Sequence, residues 1–192
     1  MDSIDLFPLK TPLFPGVRLP LQIFEPRYLD MLSRCLKTGT GFGVVLIREG
    51  REVGQVPQVF ATGVMANVID WQHQPNGLLG IVVEGERKFR VRATEARADK
   101  LLTAQVDFLP LEPALAIQEH HLALIDLVQQ LSSHPAVANL GLPAIADARD
   151  LGWQLTQLLP LSNPDKMALL ELADPWLRLD QLVERIDRLA AD

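Results

Sequence analysis

The chain has 192 residues, of which 48% are hydrophobic and 22% charged; it is long enough for one domain or two small ones that bury about 70% of the unfolded surface, without a staple. A single cysteine, Cys35, excludes an internal disulfide and an all-cysteine metal cage, and on an apolar helix face it reads as a buried, inert thiol. The acidic start MDSIDLFPLK is neither a signal peptide nor an anchor, and no stretch approaches a membrane span, so a reduced cytoplasmic location with no membrane partner is expected.

The net charge of −6 is unevenly placed: residues 1–110 carry 13 Lys/Arg against 12 Asp/Glu, whereas residues 111–192 carry 5 against 12. The shift near Pro110 to Pro113 predicts two differently built subdomains, 1–110 and 111–192. The acidic second part disfavours a nucleic-acid surface there and leaves the first part open.

In the first part, Pro15-Gly16 fits the central positions of a type II turn. Leu19, Leu21 and Ile23 then alternate with Pro20, Gln22 and Phe24, which predicts a strand that Pro20 pushes to a sheet edge or a bulge. Glu25-Pro26 opens a helix whose apolar positions are Tyr28, Leu29, Leu32, Cys35 and Leu36, with Gly39 as its terminator. Val44 to Ile47 reads as a strand buried on both faces, and Val53 to Ala61, with Pro57, as irregular or an edge. Thr62 to Trp71 and Leu78 to Val83 read as a hairpin joined through Asn76-Gly77. Glu84-Gly85-Glu86 reads as a tight turn or bulge before a strand in which Lys88, Arg90 and Arg92 form a basic outer face. Leu102 to Phe108 completes about six strands with one inserted helix, the content of a closed or nearly closed small barrel.

In the second part the period becomes helical. Helices are expected from Ile117 to Leu131 and from Pro143 to Leu159. A third opens at Ser162, with Asp165 at N3, and a last one at Asp174-Pro175, together a small bundle. The fold class is therefore α+β, a small barrel followed by a helical bundle.

The string Leu13-Phe14-Pro15-Gly16, then Pro20-Leu21-Gln22-Ile23-Phe24-Glu25 and Arg27-Tyr28, resembles the N-terminal domain of the Lon ATP-dependent proteases. Further matching segments follow in order: Gly41 to Leu46, Gly63 to Ala66, Pro75-Asn76-Gly77, Glu84 to Val91, and Leu158-Leu159-Pro160-Leu161 with Lys166, Leu169 and Leu170. The likeness covers nearly the whole chain. It implies a substrate-contacting domain, and the barrel resembles the PUA fold.

Catalytic signatures are missing from the sequence. There is no G-x-x-x-x-G-K-S/T and no G-x-S-x-G, and the Gly39 to Gly43 glycines follow a helix and enter a strand, the reverse of a phosphate loop. The histidines, His73, His120, His121 and His134, lack metal-ligand spacing, and the adjacent pair His120 and His121 is expected to diverge on a helix. No metal and no cofactor is expected. Lon proteases continue into ATPase and Ser/Lys protease modules; the resemblance to their first domain alone leads us to expect a free-standing, non-catalytic module rather than an enzyme.

Two functions compete. The first is binding of unfolded or flexible polypeptides, as an adaptor that works with a protease or chaperone, through Phe14, Phe24, Glu25, Arg27, Tyr28 and Trp71. Phe14, Phe24 and Tyr28 read more readily as core than as contacts, and Glu25 with Arg27 preferentially as a structural ion pair. The alternative is RNA binding by a PUA-like module through Lys88, Arg90 and Arg92, against which stand the sequence pI near 5.2 and the ordinary use of charge to protect a strand edge.

Overall fold

The computed structural model describes residues 2–75, 78–138 and 141–191. Backbone contacts separate two compact units, Met1–Pro110 and Leu111–Asp192. The predicted Asn76-Gly77 reversal lies outside the described residues.

The first unit contains β1 (Asp2–Leu9), β2 (Arg18–Ile23), α1 (Pro26–Thr38), β3 (Phe42–Glu49), β4 (Gln58–His73), β5 (Leu79–Ala96) and β6 (Leu102–Phe108). β1 runs parallel to β3 and antiparallel to β6, and β3–β4, β4–β5 and β5–β6 are antiparallel, so five strands pair in a ring. The ring closes through β5, which at 18 residues is long enough to pair with two strands besides β4. Its first half pairs with β2 (Arg18↔Glu84 to Ile23↔Leu79), and its second half pairs with β6 (Phe89↔Phe108 to Ala96↔Leu102). Of the two readings of Glu84 to Glu86, the turn is not formed, since the strand runs on through it; the bulge is, because Val64↔Lys88 and Ala66↔Gly85 leave one extra residue on β5 between Gly85 and Lys88. β2 borders β5 alone, and Pro20, which has no N–H to donate, sits on this edge strand.

Inward-facing Leu6, Val45, Phe89, Leu102, Ala104 and Val106 form one core of this unit. Two glycines make room for it. A Cβ on Gly63 would lie 2.5 Å from the Phe89 ring, and one on Gly43 2.7 Å from the same ring. On α1 the buried residues are Arg27, Tyr28, Met31, Leu32 and Cys35, whereas Leu29 and Leu36 are exposed. Gly39 ends the helix at φ +67°, as glycine is suited to do.

The second unit holds a 3₁₀ turn (Glu119–His121), α2 (Ala123–Ser132), α3 (Pro135–Ala138), α4 (Ala148–Leu158), α5 (Asn163–Glu171) and α6 (Pro175–Ala191). Ile117 precedes the first helical turn. α4 begins five residues later than expected because Asp147 caps it, accepting the N–H groups of Arg149 and Asp150. Ser162 Oγ accepts the Asp165 N–H at 3.2 Å, and Asp174 Oδ1 accepts the Trp176 N–H at 2.8 Å. Leu124, Val128, Leu151, Leu155, Leu169, Leu179 and Leu182 close over a common core. No described helix is long and apolar enough to cross a membrane.

Candidate functional site

The site is built around the Phe14–Val17 turn. Val17 N–H donates to the Phe14 carbonyl at 3.2 Å, and Gly16 adopts φ +70° between them. The turn is fastened to β5 by Gly16 N–H to the Gly85 carbonyl (2.7 Å) and Gly85 N–H to the Val17 carbonyl (3.0 Å). The approach is so close that a Cβ on Gly85 would collide with the Phe14 carbonyl oxygen. β2 leaves this anchor along β5 and ends at the Glu25-Pro26 corner.

This anchoring divides the sequence-derived candidates. Phe14, 0% exposed, belongs to the core, and its backbone is pressed onto β5. Tyr28 is also buried; its ring lies 4.2 Å from that of Phe7, and burial pushes its phenol up to about 12. Arg27 is buried as well. Its Nε faces Glu25 Oε2 at 2.8 Å, Nη1 donates to the Lys100 carbonyl at 2.8 Å, and the guanidinium lies 4.7 Å from the Tyr28 ring centroid. Glu25 and Arg27 thus form a structural pair that ties the start of α1 to the Lys100 turn. Phe24 and Trp71, in contrast, are 55% and 53% exposed.

Two depressions flank β2. One, of about 240 Å³, is lined by Leu21, Ile23, Phe24, Glu25 and Tyr28 among others; the second, of about 360 Å³, by Gln22, Asp70, Trp71, Gln74 and Ile81 among others. Pro20, Leu21 and Gln22 line both, so β2 is the ridge between them. The Trp71 ring meets His73 edge to face at 5.8 Å, and the Trp71 backbone N–H donates to Asp70 Oδ1 at 2.8 Å. The surface combines aliphatic and aromatic area with a few amide and carboxylate groups, which suits apolar side chains carried on a polar backbone.

The basic strand is not the open face that alternation predicts. Lys88 is 6% exposed, Arg90 half-buried, and only Arg92 exposed. The reason is the chain leaving β6. Leu109 N–H donates to the Lys88 carbonyl at 2.9 Å, Arg87 Nε donates to the Leu109 carbonyl at 2.8 Å, and the Arg87 guanidinium lies 5.3 Å from the Phe108 ring centroid. Arg92 Nε is paired with Asp107 Oδ2 at 2.5 Å. These cations offer no continuous basic patch for a phosphate backbone.

In the second unit, sequence reading missed a buried ion pair. Arg178, fully buried, donates from Nη1 and Nη2 to Glu112 Oε2 (2.8 Å) and Oε1 (2.6 Å), and its guanidinium stacks 3.4 Å from the Trp153 ring centroid. The signal was its spacing: Arg178 stands four residues before Leu182 and eight before Ile186, on the apolar stripe of α6. His120 and His121 also depart from expectation. Instead of diverging, their rings lie 3.9 Å apart and their Nε2 atoms converge on Asp180 Oδ1, at 3.5 and 2.8 Å.

A closing ring of strands bordered by an edge strand, with exposed aromatic side chains on either flank, defines this unit as an α+β protein with a surface suited to binding. The family model of the ATP-dependent protease La (LON) substrate-binding domain matches residues 3–188, and the chain belongs to that family. A Lon N-terminal domain protein from Xanthomonas campestris, known from a crystal structure, is 32% identical, with a TM-score of 0.77 over 96% of this chain and 98% of that one. The N-terminal domain of a Mycobacterium avium complex Lon protease shares the fold, with a TM-score of 0.64 at 19% identity over 95% of this chain and 97% of that one. Lon protease 1 of Hydrogenovibrio crunogenus is 24% identical over 91% of this chain but only 22% of its own length. The chain thus spans about a quarter or less of the full-length relatives it matches.

Proposed function

We propose that this chain is a non-catalytic binding module for flexible polypeptides and that the ridge of β2, with Phe24 on one flank and Trp71 on the other, is its contact surface. The observation that carries the reading is the exposure of those two aromatics beside depressions that share Pro20, Leu21 and Gln22. Large aromatics that remain in solvent at a concave surface are the side chains that dominate interfaces. Membership of a family named for substrate binding supports the same reading. In it the ring of strands is a PUA-like barrel, the second unit a helical bundle, and the module serves in the cytoplasm as an adaptor that presents unfolded or damaged chains to a protease or chaperone.

The test is a fluorescence anisotropy titration with a labelled, reduced and unfolded polypeptide, beside a single-stranded RNA of similar length at two salt concentrations. Saturable polypeptide binding is expected, weakened about tenfold or more by Trp71→Ala and by Phe24→Ala. Polypeptide binding unaffected by both substitutions would contradict the placement. Salt-dependent RNA binding lost on Arg90→Ala, with no polypeptide binding, would replace the reading with a nucleic-acid one.

A further inference from the structure

We propose that His120, His121 and Asp180 form a binding site for a divalent transition-metal ion, Zn²⁺ being the natural occupant by donor type. One donor atom from each of the three lies within 4.8 Å of the others. Both imidazole Nε2 atoms already address the same carboxylate oxygen, at 3.5 Å from His120 and 2.8 Å from His121. A tetrahedral ion bonded at about 2.0–2.2 Å needs its donors roughly 3.3–3.5 Å apart, a spacing that small side-chain adjustments here can reach.

The three groups differ in a way that suits assembly. His121 is fully buried and fixes one donor in place, whereas His120 and Asp180 are more than half exposed and free to adjust. The buried ring contributes a second observation: among the described residues His121 Nδ1 has no hydrogen-bond partner. No described N–H or O–H group donates to Nδ1. In the metal-free site the Asp180 carboxylate, 2.8 Å away, favours hydrogen on Nε2; an ion that takes the Nε2 lone pair shifts that hydrogen to Nδ1, where no described donor opposes it. Two imidazoles and a carboxylate favour zinc, nickel, cobalt or copper over magnesium or calcium, which prefer all-oxygen sets. The exposed side of the cluster leaves the fourth position to water.

The site joins the 3₁₀ turn at Glu119–His121 to α6, two elements separated by the whole second unit in sequence. An ion that binds there and not in the unfolded chain stabilises the unit by mass action, so melting temperature reports its occupancy.

The experiment uses tag-free protein stripped with chelator and titrated with Co²⁺, followed by visible absorption, and with Zn²⁺, followed by calorimetry and thermal unfolding. One saturable equivalent, an upward shift in melting temperature and the ligand-field bands of four-coordinate cobalt are expected. His120→Ala and Asp180→Asn should each weaken binding about tenfold or more, while His73→Ala and His134→Ala should leave it unchanged. Both decisive substitutions are at exposed side chains, and the metal-free melting temperature shows whether each variant folds. Paramagnetic broadening of the His120 and His121 imidazole resonances in the wild-type protein gives a second reading that needs no variant. Absence of a saturable equivalent, or binding that survives both His120→Ala and Asp180→Asn, would overturn the proposal.

Discussion

Arg27 is enclosed by Glu25, the carbonyls of Lys100 and Glu52, and the Tyr28 ring, and these contacts decide its role. Removing one member of a buried pair strands the other, so Arg27→Ala should cost on the order of 3 kcal/mol in urea unfolding. A loss of polypeptide binding with unchanged stability would show instead that Arg27 contacts a ligand. Arg178 makes the same point in the second unit: burial pulls its guanidinium below the ordinary value while Glu112 pushes it back. Asp147 and Asp165 set the acid limit. Burial raises the Asp147 carboxyl, but the hydrogen bonds from Arg149 and from the backbone of Arg149 and Asp150 outweigh it and hold it low; Ser162 holds Asp165 low. Their folded-state values lie below the unfolded ones, so they contribute stability above about pH 4 that is lost as pH falls through the folded values. Urea unfolding at pH 7 and pH 3 should show this loss, and Asp147→Asn should make it smaller. At this scale the sequence was only partly legible. The Glu25–Arg27 pair was readable because its members stand two residues apart in a fixed corner. Glu112 and Arg178 are 66 residues apart, and the fates of Phe14 and Lys88 depended on which distant backbone would cover them.

β2 and the turn before it form one element with β5, because Gly85 lets the two backbones meet. Gly85→Ala forces its Cβ against the Phe14 carbonyl, and the backbone must move. The expected result is a lower melting temperature and slower binding-competent folding, whereas an unchanged melting temperature would contradict the contact. The Ser162 and Asp174 caps are local and were readable from sequence, whereas the Asp147 cap of α4 was missed. Ser162→Ala and Asp174→Ala should each cost about 1 kcal/mol, measured by denaturant midpoint. Elsewhere periodicity was an incomplete guide. It left β2 at an edge or a bulge from Pro20, and Glu84-Gly85-Glu86 as a turn or a bulge; the edge and the bulge are what form, and only the pairing with unseen neighbouring strands decides between such readings. It also assigned Leu29 and Leu36 to the buried face of α1, where Met31 and Arg27 are found. An α-helix spreads apolar residues over more than one stripe, and only the packed partner selects among them.

For the whole chain, the two units differ in charge as well as in build: the near-neutral first unit carries the exposed aromatics, and the acid-rich second carries the His120–His121–Asp180 cluster. The family was readable because a proline-rich string in fixed register carries its own geometry, whereas the binding face required knowing which aromatics the fold leaves in water. Hydrogen–deuterium exchange with and without a saturating unfolded polypeptide tests the central claim directly. Protection is predicted along β2 (Arg18–Ile23) and Phe24, on Leu79–Val82 of the neighbouring β5 and on Asp70–His73 of β4 beyond it. Protection confined to residues 111–192, or to the 87–92 strand, would contradict a polypeptide surface centred on β2.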